Sequence, residues 1–243
     1  MTPDRSVFFS VVLPCRNQAD HIGGVLEKYI PPLDATGRAW ELIVVPNACT
    51  DSTVEAADAV AARRREVRVL ENPAGGWGRS VLMGLRAAVG EVLCYANSAR
   101  TDPALLPGLL RLYEAHAPCV AKVVRCRRGA PLREAGSWLY NLEAHLLFGV
   151  EAPDINGTPK LFPRSFFEQA SLESSGDLLD LELMVKAAAL GLQVAELPVE
   201  GFSRHGGKSS TNLRTAWGLY GGALRMRLML GRALGVRRHC REG

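Results

Sequence analysis

Two periods of hydrophobicity alternate along the first half of this chain. Short, nearly unbroken apolar runs occur at Val7 to Leu13 (stopped by Pro14), Leu42 to Val45 (stopped by Pro46), Val67 to Leu70, Val92 to Tyr95 and Cys119 to Val124. Runs of this kind predict strands buried on both faces of a parallel sheet. Between them, apolar residues recur at helical spacing. Ile22, Val25, Leu26 and Tyr29 mark a helix from Asp20 to Tyr29 with Asp20 as its cap. Asp51, Ser52 and Thr53 open an Ala-rich helix to about Arg65, placing an acidic residue at the positive helix end. A Gly-rich turn from Asn72 to Gly78 leads into a helix over Arg79 to Ala88, and Pro103 starts a helix to His116.

The second half is less regular. It predicts a helix from Glu134 to Phe148, a turn and short strand from Asp154 to Pro163, a helix from Asp180 to Leu190 ended by Gly191, and a strand from Val194 to Leu197. A polar, Gly-rich loop follows from Gly201 to Thr211, then a long Arg-bearing helix from about Leu213 to Leu234. Strand and helix in alternation imply an α/β sandwich, a mostly parallel sheet with helices on both faces. No repeat, linker or low-complexity segment divides it. The chain reads as a single domain over 1–243, with a first half to residue 125, a second half over 126–212 and a basic C-terminal helix over 213–243.

Composition narrows the class. Of 243 residues, 47% are hydrophobic and 22% charged, which excludes disordered and fibrous chains. The formal net charge of +4 is too small to argue for nucleic acid and suits an anionic ligand or surface. Cys15, Cys49, Cys94, Cys119, Cys126 and Cys240 form no CxxC pair and no zinc-spaced cluster, so reduced thiols in a cytoplasmic protein are expected. There is no signal-like apolar segment at the start and no run of about 18 apolar residues, so no membrane-spanning helix is expected.

Ligands of open parallel sheets bind beyond the carboxyl ends of the strands. The segment after the first strand, Pro14 to Ile22, carries no GxGxxG, which counts against dinucleotide enzymes. It does resemble the opening of family 2 glycosyltransferases of the GT-A fold, whose first strand ends in Pro-x-x-Asn-Glu. Further landmarks follow in order. Glu41 to Thr53 is similar to the family's nucleotide-contacting strand end, Asn72 to Gly84 to its Asn-x-Gly-x-Gly stretch, and Thr158 to Arg164 to the strand after its acceptor region. Asp177 to Ala187 resembles a helix with an Asp-x-Glu-Leu core, with Glu196 to Val199 as the strand behind it. Arg204 to Ser209 resembles a terminal Arg-x-x-Gly-x-Ser loop.

The resemblance implies an inverting transferase that moves a sugar from a nucleotide-sugar donor to an acceptor. Pro14, Asn17, Asn47 and Asp51 would line the nucleotide pocket, and Asn97 and Ser98 would sit at the diphosphate. Asp180 would be the acceptor-side base, with Glu182 and Asp177 near it, and Arg204 and Lys208 would lie on a closing loop. Two departures stand out. The family's metal-binding Asp-x-Asp falls on Ala96, Asn97 and Ser98, and its first acidic pair on Pro46 and Asn47. A hard cation wants anionic oxygen ligands, so a requirement for Mg²⁺ or Mn²⁺ is left open. Arg100, Arg204 and Lys208 could instead neutralise the departing diphosphate.

The acceptor stays open between a lipid phosphate and a soluble hydroxyl compound. Arg133, Ser137 and Asn141, spaced by four on one helical face, resemble the acceptor-phosphate residues of dolichyl-phosphate mannose synthase-like enzymes. Such an acceptor needs no general base, whereas a hydroxyl does. Trp77, Trp138 and His205 read as packing or rim residues as readily as ligand contacts. The basic C-terminal helix suits peripheral membrane contact or packing on the domain or a second subunit. A second reading, from another class, is a degenerate GT-A domain that binds nucleotide or sugar without turnover.

Overall fold

The computed structural model describes residues 7–126, 131–200 and 221–228. Within them, seven strands form one sheet: β1 (Phe9–Cys15), β2 (Trp40–Pro46), β3 (Val67–Val69), β4 (Val92–Tyr95), β5 (Cys119–Arg125), β6 (Lys160–Pro163) and β7 (Gln193–Val199). Their order is β3-β2-β1-β4-β6-β5-β7. All neighbours run parallel except β6, which is antiparallel to both β4 and β5.

The helices are α1 (Ile22–Asp34), α2 (Thr53–Ala61), α3 (Trp77–Ala87), α4 (Leu106–His116), α5 (Pro131–Phe148), α6 (Arg164–Ala170) and α7 (Leu179–Ala189). A 3₁₀ turn, Pro103–Leu105, leads into α4, its Ala104 N–H met by the Asp102 carboxylate. One core layer packs Phe9, Val11 and Leu13 of β1 against Ile22, Leu26 and Tyr29 of α1 and Leu109 and Tyr113 of α4. The opposite layer packs Val12, Ile43 and Val45 against Val81 and Leu85 of α3, Tyr140 of α5 and Leu183 of α7. Alternate residues of β1 thus serve opposite layers, which explains its unbroken apolar run.

The α/β sandwich and mostly parallel sheet agree with the sequence reading, and element ends shift by a few residues. The Ala-rich helix stops at Ala61 rather than near Arg65, and α1 runs on through Pro31 and Pro32 to Asp34. Asp20 does not cap α1; it pairs with the His21 ring at 2.5 Å instead. Helix α6 was not anticipated, since its seven residues are too few to show a period. The loop 201–211 and most of the long basic helix lie outside the described residues; 221–228 is helical. There a Cβ on Gly222 would meet Leu178 Cδ1 at 2.4 Å, so this stretch sits tight against the entry to α7. Among the described residues, no helix is long and apolar enough to cross a membrane.

Candidate functional site

Strand β1 has β2 on one side and β4 on the other. From β1 the chain first builds outward through β2 and β3, then returns to add β4 on the far side. Such a reversal leaves a crevice at the carboxyl ends of β1, β2 and β4. The segments that finish and leave those ends, residues 14–20, 46–53 and 96–102, hold all the sequence-predicted donor residues.

The first two segments interlock. The Thr50 N–H donates to the Asn17 side-chain oxygen at 2.9 Å, and the Asn17 amide nitrogen donates to the Thr50 hydroxyl at 3.3 Å. The Asp51 carboxylate accepts from the Ala19 N–H at 3.2 Å and from the Thr53 N–H and hydroxyl. Those bonds, that of the Thr53 hydroxyl foremost, hold its pKa below the usual carboxylate value. Asn17 and Ala48 take left-handed backbone, φ 48 and φ 45, which folds both loops back over the strand ends. Gly75 of the Gly-rich turn closes on this corner, where a Cβ would stand 3.3 Å from the Ala48 Cβ.

Two amide side chains here are more than nine-tenths buried, Gln18 and Asn47. Gln18 receives the central position: its N–H donates to the Thr53 hydroxyl at 2.7 Å and its side-chain nitrogen to the Ser98 hydroxyl at 3.0 Å. Yet the side-chain oxygens of both Gln18 and Asn47 have no hydrogen-bond partner. Buried polar atoms are rarely left so, and two such acceptors in the segments that leave neighbouring strand ends fit a ligand that brings donors.

In the third segment the polar side chains bond one another's backbone or the neighbouring strand end. The Ser98 hydroxyl donates to the Pro14 carbonyl at 2.8 Å, and the Asn97 side-chain oxygen accepts from the Ala99 N–H at 3.0 Å. Asp102 spends its carboxylate on the Ala104 N–H. Among the described residues, no group of three His, Cys, Asp or Glu side chains converges. The family's divalent cation is therefore poorly matched by this donor set: Asp102 is the one carboxylate in the segment, and the oxygens of Asn97 and Ser98 are already engaged in protein hydrogen bonds. Arg100 lies in the same turn, its N–H donating to the Asn97 carbonyl.

On the other side of the crevice, the start of α7 stands over the end of β4. Asp180 is buried and accepts from the Tyr95 hydroxyl at 2.6 Å and from the Lys160 ammonium. Lys160 is fully buried, and burial pulls its pKa below the usual lysine value against the opposing pull of Asp180. The register sets Lys160 between Tyr95 and Lys122. Lys122, also fully buried, lies opposite Glu196 of β7 and pairs with it at 3.1 Å. A charged row thus crosses β4, β6, β5 and β7. Asp180 accordingly serves first as the counter-ion of Lys160, a commitment that its expected role as a base did not foresee.

Glu182 is structural. It accepts from the N–H groups of Glu173 and Ser174, the latter at 2.7 Å, and pairs with Lys186 at 2.7 Å. Burial alone would raise its pKa, but these bonds outweigh burial and hold it below the usual glutamate value. They tie down the loop 173–178, which also docks on the first turn of α3: the Arg79 N–H donates to the Ser175 carbonyl at 2.9 Å. A Cβ on Gly78 would meet the Ser174 carbonyl at 2.3 Å, so only glycine permits this approach. Asp177 rides on this loop. Desolvation first, and the Asp180 charge second, raise its pKa above the usual aspartate value.

Of the acceptor-face residues, Asn141 is engaged on both ends of its amide, donating to the Pro153 carbonyl and accepting from the Ile155 N–H at 3.3 Å. It pins α5 to the loop carrying Asp154, which is buried in a two-pronged pair with Arg125 at 2.7 and 2.8 Å. Ser137 is partly exposed on α5, and Trp138 is exposed beside it. Trp77 is partly buried against the α3 layer. The side chain of Arg133, and Arg204, His205 and Lys208, lie outside the described residues. Sequence reasoning missed Gln18, Tyr95, Lys122 and Lys160. A signal was present for Lys122, a lone cation within the apolar run from Cys119 to Val124.

The chain is 30% identical over 202 residues to the glycosyltransferase AglD of Haloferax volcanii, covering 79% of this chain and 32% of that protein. It is 26% identical over 176 residues to the dodecaprenyl-phosphate galacturonate synthase of Rhizobium johnstonii, covering 70% of this chain and 52% of the relative. The chain thus spans about a third and about half the length of these two curated relatives. Its fold superposes with a TM-score of 0.71 on glucosyl-3-phosphoglycerate synthase from Mycobacterium tuberculosis, a structure in complex with Mn²⁺, UDP and phosphoglyceric acid; identity is 21%, covering 91% of this chain and 78% of that one. The model of glycosyl transferase family 2 matches residues 10–170, a span that takes in the donor corner, the neutral turn at Asn97 and the buried Lys160. With its sheet order and its crevice at the switch point, the chain belongs to glycosyl transferase family 2.

Proposed function

We propose that the chain moves a sugar, with inversion, from a nucleotide-sugar donor to a phosphate-bearing acceptor. The observation that carries the donor half is the pair of buried, unpartnered amide oxygens of Gln18 and Asn47 between the β1 and β2 ends. They would take N–H or O–H groups of the nucleoside, with Pro14, Asn17 and Asp51 framing it. Asn97, Ser98 and Arg100 would face the diphosphate. Charge on the departing diphosphate would be met by guanidinium and ammonium groups, Arg100 with Arg204 and Lys208, and no step is assigned to a metal ion.

The acceptor half rests on kinship: one relative is named for a dodecaprenyl phosphate, and a structural neighbour holds phosphoglyceric acid. A phosphate oxygen is already anionic and attacks without a base, which agrees with Asp180 being occupied by Lys160. Arg133 and Ser137 would hold that phosphate, with Asn141 fixing their helix. The exposed Trp138, Leu139 and Leu146 of α5 and Leu224 and Leu228 further on would suit a lipid-borne acceptor at a membrane surface.

Calorimetric titration with UDP, GDP, CDP and dTDP, each with Mn²⁺ and again with EDTA, tests the donor half. Binding of one nucleotide that survives EDTA is expected. Strict dependence on added cation would refute the role given to Arg100, Arg204 and Lys208. Silence toward all four would favour a domain without turnover.

A further inference from the structure

Two of the free thiols meet at the donor corner. Cys15 is the last residue of β1, and its Cα lies opposite Pro46, the last residue of β2. Three residues on, after the left-handed turn at Ala48, Cys49 is brought back over the end of β1. Its thiol donates to the Cys15 carbonyl at 3.8 Å and accepts from the Asn17 N–H at 3.4 Å. Cys15 is buried and Cys49 partly exposed. Burial first, and Cys49 next, hold the Cys15 thiol well above the usual cysteine pKa, so it is the slower, resolving partner and not the group that meets an oxidant.

We propose that Cys15 and Cys49 form a reversible disulfide that closes the donor corner under oxidation. A disulfide needs α-carbons about 4.4–6.8 Å apart, and the turn after β2 carries Cys49 toward that range by setting its sulfur 3.8 Å from the Cys15 carbonyl. The accessible Cys49 meets the oxidant, a peroxide. Its sulfur takes one oxygen to become a sulfenic acid, and one water leaves. The Cys15 sulfur then attacks that sulfur, the S–O bond breaks, and a second water carries away the remaining proton and oxygen. Two thiols and one hydrogen peroxide become one disulfide and two waters.

The bridge acts on the pocket because Cys49 is woven into it. Turning the Cys49 sulfur toward Cys15 takes it from the Asn17 N–H. It also drags the adjoining Thr50, whose N–H and hydroxyl hold the Asn17 side chain. The inference rests on the donor corner assigned above.

The test uses the full chain carrying Cys126→Ser and Cys240→Ser, titrated with hydrogen peroxide. Non-reducing peptide mapping and calorimetry with UDP, GDP, CDP and dTDP are run in parallel. The expected result is a cross-linked Cys15–Cys49 peptide, with nucleotide affinity falling at least about tenfold and recovering in dithiothreitol. Peroxide that leaves Cys49 uncrosslinked, or a cross-link that leaves affinity unchanged, overturns the proposal. Adding Cys15→Ala should leave Cys49 trappable by dimedone, with no cross-link. An equal loss of affinity in that variant would show that the bridge is not the cause and would also overturn it. If the reduced chain binds none of the four nucleotides, the donor assignment fails instead, and the peptide map still scores the bridge.

Discussion

The hydroxyl of Tyr95, at the end of β4, donates to the carboxylate of Asp180, at the start of α7, across 85 residues of chain. Together with Lys160 it fixes the first turn of α7 above the crevice. Removing one bond to a charged group costs about 1.5–3 kcal/mol, whereas removing the charge opposite a buried ion costs about 3–5 kcal/mol. Tyr95→Phe should therefore be the milder change and Asp180→Asn the harsher one, read as shifts of the urea unfolding midpoint. Equal midpoints for the two variants would contradict the counter-ion role of Asp180.

Asp177 separates the two acceptor classes. Its raised pKa means that a base at this position is lost on acidification earlier than the ordinary aspartate value of about 3.9 would suggest. With a hydroxyl acceptor, Asp177→Asn should lower kcat and erase the acid limb of the pH–rate profile. With a phosphate acceptor, the class proposed here, both should stay close to those of the parent chain. A collapse of kcat on a polyprenyl phosphate would contradict the base-free attack.

Glu182 predicts how stability depends on pH. Its folded pKa lies below that of the unfolded chain, so its contribution is fully present above about 4.3, the ordinary glutamate value. The contribution fades as pH falls through the lower folded value. Glu182→Gln should thus lose stability at pH 7 and approach the parent in strong acid. A gap that widens on acidification would contradict this sign.

Gly78 and Gly23 make a matched pair of glycines near helix starts. A Cβ at Gly78 strikes backbone atoms of Ser174, Ser175 and Gly176, while at Gly23 nothing lies within 4 Å. Gly78→Ala should cost about 1–3 kcal/mol and displace the loop that carries Asp177. Gly23→Ala should gain up to about 1 kcal/mol from helix propensity. Thermal unfolding of both variants checks this, and stabilisation by Gly78→Ala would contradict the packing of loop 173–178.

The exposed apolar side chains of α5 are open to a simple trial. Trp138→Ser combined with Leu146→Ser should weaken co-sedimentation with vesicles of anionic lipid, because each removes apolar area that a bilayer would cover. Unchanged or absent sedimentation of the parent and the variant would assign the face to another role.

Much of this protein is written locally. The apolar runs decide where the strands lie, because a buried strand needs apolar side chains on both faces; the expected stops at Pro14 and Pro46 did not hold, since β1 runs through Pro14 to Cys15 and β2 takes in Pro46. The polar residues just after those strands, from Asn17 to Asp51 and at Asn97, are where the sequence reading sets the donor, the placement proposed above. Other features were decided only by the tertiary structure, because they depend on which strands become neighbours. Strand β6 enters antiparallel between β4 and β5, and that placement alone sets Lys160 beside Tyr95 and Lys122 and brings Asp180 to it. In sequence, Asp180 reads as an acceptor-side base, and Lys160 is given no role. A charge removed from water must find its opposite within a few ångströms, and only the folded sheet determines which opposite that is.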